Sequence, residues 1–228
     1  MKATQYYIYI QNKMELSREQ QIAFDKYVRG ENLFITGPGG SGKSELIRTI
    51  YKHALTRLKD ICVTALTGCA SILLNCKAKT LHSWAGIGIA NRPVEQLILR
   101  IKKNKFLRAV WRGIDILVVD EVSMLSLKLF NMLNDIGKAV RGNQLPFGGI
   151  QLIFTGDFYQ LPPVGDYMDP DTQKFCFESE YWDTTFKRDC QIELKKIFRQ
   201  TDEIYSNILN QIREGKIKKV QMICYLLM

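Results

Sequence analysis

The stretch NLFITGPGGSGKS, residues 32–44, decides the fold. Asn32 to Thr36 reads as a short apolar strand, and Leu46, Ile47, Ile50, Tyr51, Ala54, Leu55 and Leu58 then recur at helical spacing. Between them lies Gly37-Pro38-Gly39-Gly40-Ser41-Gly42-Lys43-Ser44, a GxxxxGKS turn in strand–turn–helix context. The glycines let the backbone turn tightly and aim its N–H groups inward. The helix that follows adds the partial positive charge of its N-terminus, so a polyphosphate is the chemistry these fixed dipoles hold. Lys43 is expected at the β- and γ-phosphates and the Ser44 hydroxyl at Mg²⁺.

Working outward, further runs share the strand character: Ile61 to Ala65 (ICVTA), Asp115 to Asp120 (DILVVD), Ile150 to Thr155 (IQLIFT) and Cys190 to Leu194 (CQIEL). Three of the five runs are almost wholly apolar, as suits parallel strands covered on both faces. Amphipathic stretches run from Leu127 to Val140 and from Asp202 to Glu214, the latter placing Ile204, Ile208 and Ile212 four apart. Strands alternating with helices imply an α/β fold, a parallel sheet with helices on both faces. No internal repeat is present. Gly142 to Gly149 and Gly165 to Gln173, rich in Gly, Pro, Asp or Asn, are expected to be the most flexible interior stretches.

Composition sets outer bounds. At 228 residues, 46% apolar and 24% charged, the chain suits one large globular domain or two small ones. No apolar run approaches the ~20 residues that cross a bilayer. The apolar stretch Tyr6 to Ile10 is too short for a signal-peptide core, so an intracellular protein without membrane attachment is expected, nucleus or cytoplasm being open. The net charge of +9 favours a polyanionic partner. Six cysteines form no CxxC pair and the two histidines complete no zinc cluster with them. Reduced thiols are the expectation, with Cys62 and Cys190 inside apolar runs.

A phosphate cradle needs acids opposite it. Asp120-Glu121 ends the ILVV run. Asp120 is expected to bind Mg²⁺ through water and Glu121 to accept a proton from the attacking water. Adjacent residues at a strand end point in different directions, as two such tasks require. Gln160, in Thr155-Gly156-Asp157-Phe158-Tyr159-Gln160-Leu161-Pro162-Pro163-Val164, is an uncharged group able to contact both the γ-phosphate and that water. Thr64 to Gly68 and Thr80 to Gly88 (TLHSWAGIG) offer hydroxyls, backbone N–H groups and a His–Trp pair. Those groups suit a groove for a single-stranded backbone and its bases. Arg100, Lys102, Lys103, Lys105, Arg108 and Arg112 read as a solvated helix face, with DNA contact as the alternative and Trp111 as a core anchor within them.

Taken together, LSREQQIAF, GPGGSGKS, ALTGCA, TLHSWAGIG, DEVSML, GDFYQLPPV and LKKIFRQ resemble the first motor domain of the petite-integration-frequency helicases. That family belongs to superfamily 1B and moves 5′ to 3′ on single-stranded DNA. The likeness runs from about Leu16 to Gly215 in the family's order. It implies a RecA-like P-loop NTPase domain, ATP and Mg²⁺ as ligands, single-stranded DNA as partner, and roles in DNA repair, recombination and genome maintenance. It also implies that Gln20 reads adenine, with Gln21 as the fallback, and that Arg199 approaches the γ-phosphate. Thr67, His82 and Ser83 would line the DNA track. Trp84 would stack on a base, packing in the core being the alternative.

The implied organisation is an extension at 1–15, a motor domain at 16–215 and a tail at 216–228. Two departures stand out: Leu66 replaces the family's usual proline, and no second RecA-like domain follows. A truncated or frameshifted reading frame, or a split gene, is the expectation. A monomer with weak nucleotide binding, low hydrolysis and no unwinding by itself then follows, a second motor domain or chain supplying the opposing wall. The rival readings are a non-catalytic ATP- or DNA-binding module and a relative of the exonuclease V helicase subunit. A phosphotransferase leaves GDFYQLPPV unexplained.

Overall fold

The computed structural model describes residues 16–198, 208 and 211–216. The apolar runs become β1 (Leu33–Thr36), β2 (Ile61–Ala65), β4 (Ile116–Asp120), β5 (Gln151–Gly156) and β6 (Gln191–Glu193), joined by a two-residue strand β3 (Lys79–Thr80) that sequence periodicity did not reveal. They form one six-stranded sheet in the order β3-β2-β4-β5-β1-β6, every pair parallel. Side chains alternate across it with period two. Leu33, Ile35, Val63, Ile116, Val118 and Ile153 face one core, whereas Phe34, Leu117, Val119, Leu152 and Phe154 face the other.

The first core is covered by α1 (Arg18–Val28) and α2 (Lys43–Thr56). The second is covered by α4 (Leu81–Ala85), α5 (Val94–Lys103), α6 (Lys105–Gly113), α7 (Leu127–Arg141) and α8 (Trp182–Thr185), whereas α3 (Gly68–Leu73) follows β2 at the rim. Phe130 of α7 sits at the centre of the second core, edge-on to Phe147 at 5.2 Å and to Phe154 at 6.1 Å. Trp111 is fully buried and donates its indole N–H to Ala85 O, as its place in the basic stretch suggested. Arg100, Lys102, Lys103 and Lys105 of that stretch are exposed along α5 and α6.

Gly142 to Gly149 is anchored in part: Phe147 and Gly148 are buried, whereas Gly142, Gln144, Leu145 and Gly149 are exposed. Phe147 is fully buried and its N–H donates to Asn134 Oδ1. Arg141 Nε donates to Gly148 O, and a Cβ on Gly137 would lie 2.6 Å from the Phe147 backbone. Gly137 and Gly148 allow the two backbones this close approach. Gly165 to Gln173 does lie on the surface, with Tyr167 and Met168 exposed, although Thr172 Oγ1 accepts from the Asp166 N–H and Lys128 pairs with Asp169. Of the helix expected over 202–214, the described residues show helix at Ile208 and at 211–213. Cys62, Cys69, Cys76, Cys176 and Cys190 are free thiols; Cys224 lies outside the described residues. Among the described residues no helix is long and apolar enough to cross a membrane.

At the N-terminal ends of the strands, Lys26 Nζ reaches Asp189 Oδ2 at 2.6 Å and Glu31 Oε2 at 3.3 Å. Cys190 Sγ donates to Glu31 Oε2 and Arg29 Nε to Glu31 Oε1. These donors, Cys190 first and then Arg29 and Lys26, hold the Glu31 carboxyl down at about 2 from an ordinary 4.5. A depressed carboxyl stabilises the fold above its unfolded value and loses that contribution as pH falls through its folded one. Urea unfolding between pH 6 and pH 2 is therefore expected to show stability falling from about pH 4.5 downward, with Glu31→Gln flattening that decline.

Candidate active site

The register brings the carboxyl ends of the strands into line: Ala65 is opposite Asp120, Val119 opposite Phe154, and Thr36 opposite both Gly156 and Glu193. Ligands of open α/β sheets bind at this edge. The turn after β1 is there. Gly37 has φ +145°, and a Cβ on it would lie 2.5 Å from Leu194 O. Gly42 has φ +88°, and a Cβ on it would lie 2.4 Å from Gln20 Nε2. Both positions require glycine.

The start of α2 has no side-chain cap, whereas Ser17, Thr67, Thr80, Asn104 and Ser126 cap α1, α3, α4, α6 and α7. Beside it the Ser41 hydroxyl is buried without a hydrogen-bond partner. Buried polar groups need partners. An uncapped helix start, an orphan hydroxyl and a lysine together fit an anion with several oxygens. Lys43 Nζ rests on Gly37 O at 2.6 Å and Pro38 O at 3.1 Å. Burial pushes its pKa down, while the charges of Asp157, Asp120 and Glu121 oppose that shift. Ser44 is exposed on the first turn of α2.

Asp120 ends β4 buried, with Oδ1 accepting from the Thr155 hydroxyl of β5. Burial pushes its carboxyl up, and the Thr155 hydrogen bond and Lys43 work against that. Glu121 follows in the left-handed region at φ 59°, ψ 42°. Such a conformation costs a non-glycine residue about 1 kcal/mol or more. Burial, then the Asp120 and Asp157 charges, raise its carboxyl above the ordinary range. A carboxyl so placed is a stronger proton acceptor than a free one.

Two residues in this cluster had no sequence assignment. Asp157, just past β5, is buried and is gripped by Arg213, Nε to Oδ2 at 2.7 Å and Nη2 to Oδ1 at 2.9 Å. Gln160 Nε2 donates to Asp157 Oδ2 at 3.3 Å. Burial pushes the Asp157 carboxyl up, but Arg213, the Tyr159 N–H and Gln160 together outweigh it and hold the group below the ordinary value. Asp157 lay in the GDFYQ segment, a signal that could have found it. Arg213 carried none, standing 56 residues away.

Gln20 is not an open amide. Its Oε1 accepts from the Ser17 N–H at 2.8 Å, closing a capping box, and its Nε2 donates to Gly42 O at 3.2 Å. It is a strut between α1 and the glycine turn. Gln21 instead pairs with Asp25. Arg199 lies outside the described residues, but the Phe198 N–H before it donates to Gly40 O at 2.9 Å.

For the expected DNA track, Thr67 Oγ1 caps α3 by accepting from the Ala70 N–H. Ser83 is exposed, and His82 is half-buried with its pKa lowered by burial, hence neutral at pH 7. A cleft of about 420 Å³ joins His82 to Leu66, Met124, Lys128, Pro163 and Val164. Trp84 corrects the stacking expectation. It is 2% exposed, with its ring 4.6 Å from that of Trp111, and presents no face to a base.

The sheet order, the glycine turn and the acids at the same sheet edge define a RecA-like P-loop NTPase domain. The PIF1-like helicase family model matches residues 15–222, and the chain belongs to that family. It is 42% identical over 205 residues to the ATP-dependent DNA helicase RRM3 of Saccharomyces cerevisiae, covering 89% of this chain and 28% of that protein. It is 37% identical over 202 residues to the ATP-dependent DNA helicase Pif1 of a Psychrobacter species, covering 86% and 30%. The crystal structure of Pif1 helicase from Candida albicans is similar at 43% identity and a TM-score of 0.83, over 91% of this chain and 46% of that one. A Bacteroides Pif1 helicase in complex with ADP-AlF3 and single-stranded DNA is similar at 28% identity and a TM-score of 0.76, over 92% and 48%. The chain thus spans less than a third of these curated relatives and about half of these solved chains.

Gly37→Ala is expected to lower stability by about 1–3 kcal/mol through backbone strain and to abolish ATP binding. Thermal unfolding and equilibrium nucleotide titration check the two effects.

Proposed function

We propose that residues 16–215 form the ATP-hydrolysing motor domain of a DNA helicase. The observation that carries this reading is the uncapped start of α2 with its orphan Ser41 hydroxyl and Lys43, at the same sheet edge where Asp120, Glu121 and Asp157 end or follow β4 and β5. The amides and Lys43 of the Gly37–Ser44 turn bind the triphosphate. Ser44 and the Asp120 carboxylate are the groups that would hold Mg²⁺, which supplies neutralisation of phosphate charge when bound. Glu121 accepts the proton of the water that attacks the γ-phosphorus. The bond to the β-phosphate oxygen breaks, and ADP and phosphate leave. Gln160 orients that water, and Arg199 approaches the γ-phosphate from the segment that Phe198 pins to Gly40. Gln20 reads adenine only by exchanging its contacts with Ser17 and Gly42.

Single-stranded DNA runs past Thr67, His82 and Ser83, where hydroxyls and a neutral imidazole meet its backbone and bases. Coupled to a second motor domain, hydrolysis drives 5′-to-3′ translocation and duplex unwinding, inside the cell and in the service of repair and recombination. The relatives named as ATP-dependent DNA helicases, and the neighbour solved with ADP-AlF3 and single-stranded DNA, support the substrate pair.

Turnover measured with and without single-stranded DNA tests this reading; a chain that binds ATP but never hydrolyses it is a binding module instead. Lys43→Ala is expected to weaken ATP binding about tenfold or more, through loss of one charge-assisted contact. Glu121→Gln is expected to keep ATP bound while lowering kcat by about 100-fold or more. DNA affinity is expected to fall about tenfold or more between 50 and 200 mM salt.

A further inference from the structure

Asp157 is 1% exposed and accepts four hydrogen bonds. Two come from the Arg213 guanidinium, as a fork at 2.7 and 2.9 Å. One comes from the Tyr159 N–H and one from Gln160 Nε2. The Arg213 side chain is itself mostly buried, with its guanidinium carbon 4.6 Å from the centre of the Tyr159 ring. The Gln160 N–H also donates to Asp157 O at 2.8 Å, so backbone and side chain of this turn are both fixed on one residue.

The chemistry of the acceptor gives this arrangement a direction. An ionised carboxylate only accepts, so the NH₂ end of the Gln160 amide must face it. The carbonyl oxygen Oε1 then points the other way, as an acceptor. An acceptor is what orients the O–H of an attacking water. A neutral acid, or an amide in place of Asp157, could face either end of Gln160 and would impose no orientation. A buried carboxylate stays ionised only with a charged partner, and Arg213 is the cation hydrogen-bonded to it. The Arg213 fork is bidentate and stacked, a geometry that lysine does not reproduce.

We infer that Arg213 is a positioning residue for ATP hydrolysis, acting through Asp157 to set the amide orientation of Gln160. The inference rests on the ATPase reading above and adds to it a residue from the C-terminal segment of the domain. Arg213 acts at one remove, through Asp157; it decides which end of Gln160 faces the water.

The test uses the full chain with Arg213→Gln, Arg213→Lys, the uncharged pair Arg213→Gln/Asp157→Asn, and each of these with Gln160→Ala. The paired variant removes both charges together, which guards against unfolding by a stranded acid. Steady-state turnover with single-stranded DNA, equilibrium titration of a fluorescent ATP analogue and thermal unfolding are measured together. Expected are a fall in kcat of about tenfold or more for Arg213→Gln and for the pair, KM and analogue affinity within about twofold, and partial recovery in Arg213→Lys. In the Gln160→Ala background the same Arg213 changes should cost less than about twofold more, since the residue they act through is gone.

A second readout needs no turnover. The side-chain ¹⁵N–¹H pair of Gln160, assigned by its loss in Gln160→Ala, should shift in Arg213→Gln and in Asp157→Asn alike. An unmoved Gln160 resonance, a folded paired variant with parental kcat, or losses that multiply with Gln160→Ala would each overturn the inference. A parent chain with the Arg213-dependent Gln160 shift but no turnover overturns the ATPase reading, while the clamp itself stands.

Discussion

The site depends on main chain passing where no Cβ fits. Leu194 O, Gln20 Nε2 and the Phe198 backbone all crowd the turn between Gly37 and Gly42. Three segments far apart in sequence thereby grip one loop: α1 through Gln20, the stretch after β6 through Leu194, and residue 198 through Gly40. The loop is held by its neighbours, and its dipoles are fixed before any ligand arrives. Electrostatic stabilisation by fixed dipoles avoids reorganisation at the moment of reaction. The same crowding explains why α2 alone, of the longer helices opened by a small or polar residue, begins without a side-chain cap: Gly42 has none to offer.

Around that loop the sheet acts as a rigid comb. Alternate residues of β1, β4 and β5 fill two separate cores, and the polar residues come at the strand ends. Asp120, Thr155 and Asp157 are therefore buried by architecture. Burial raises the Asp120 and Glu121 carboxyls and lowers Lys43, so each charged group is disfavoured by burial, and the attraction between Lys43 and the acids works against that. Glu121 adds backbone strain at φ 59°. Strain of this kind persists where packing over-determines it, and Val122 and Leu125, both fully buried, supply that packing.

The face carrying Thr67 and His82 is built differently. Two short helices, α3 and α4, are each started by a threonine whose hydroxyl caps the first turn. The helix α4 is anchored from behind by Trp84 on Trp111, and a Cβ on Gly86 would lie 2.6 Å from Leu107 of α6. The tryptophan thus fixes the platform from which His82 and Ser83 project. The exposed cations of α5 and α6 extend from the same support.

Much of this was legible in the chain itself. The glycine turn, its strand and helix, the acids after ILVV and the alternation of strands with helices are local patterns, set by backbone sterics and by hydrophobic period. Strand β3 was not legible, because two residues hold no periodicity. The buried state of Trp84 was not, because an aromatic beside a turn reads the same whether it faces solvent or Trp111. The anchoring of Gly142 to Gly149 at Phe147 and Gly148 was hidden because glycine signals both freedom and close approach, and only Gly137 against Phe147 separates them. The use of Gln20 as a strut and the Arg213 fork on Asp157 belonged wholly to the tertiary structure. Each joins groups 22 and 56 residues apart, and no local pattern encodes a contact that only the folding of the sheet brings within reach.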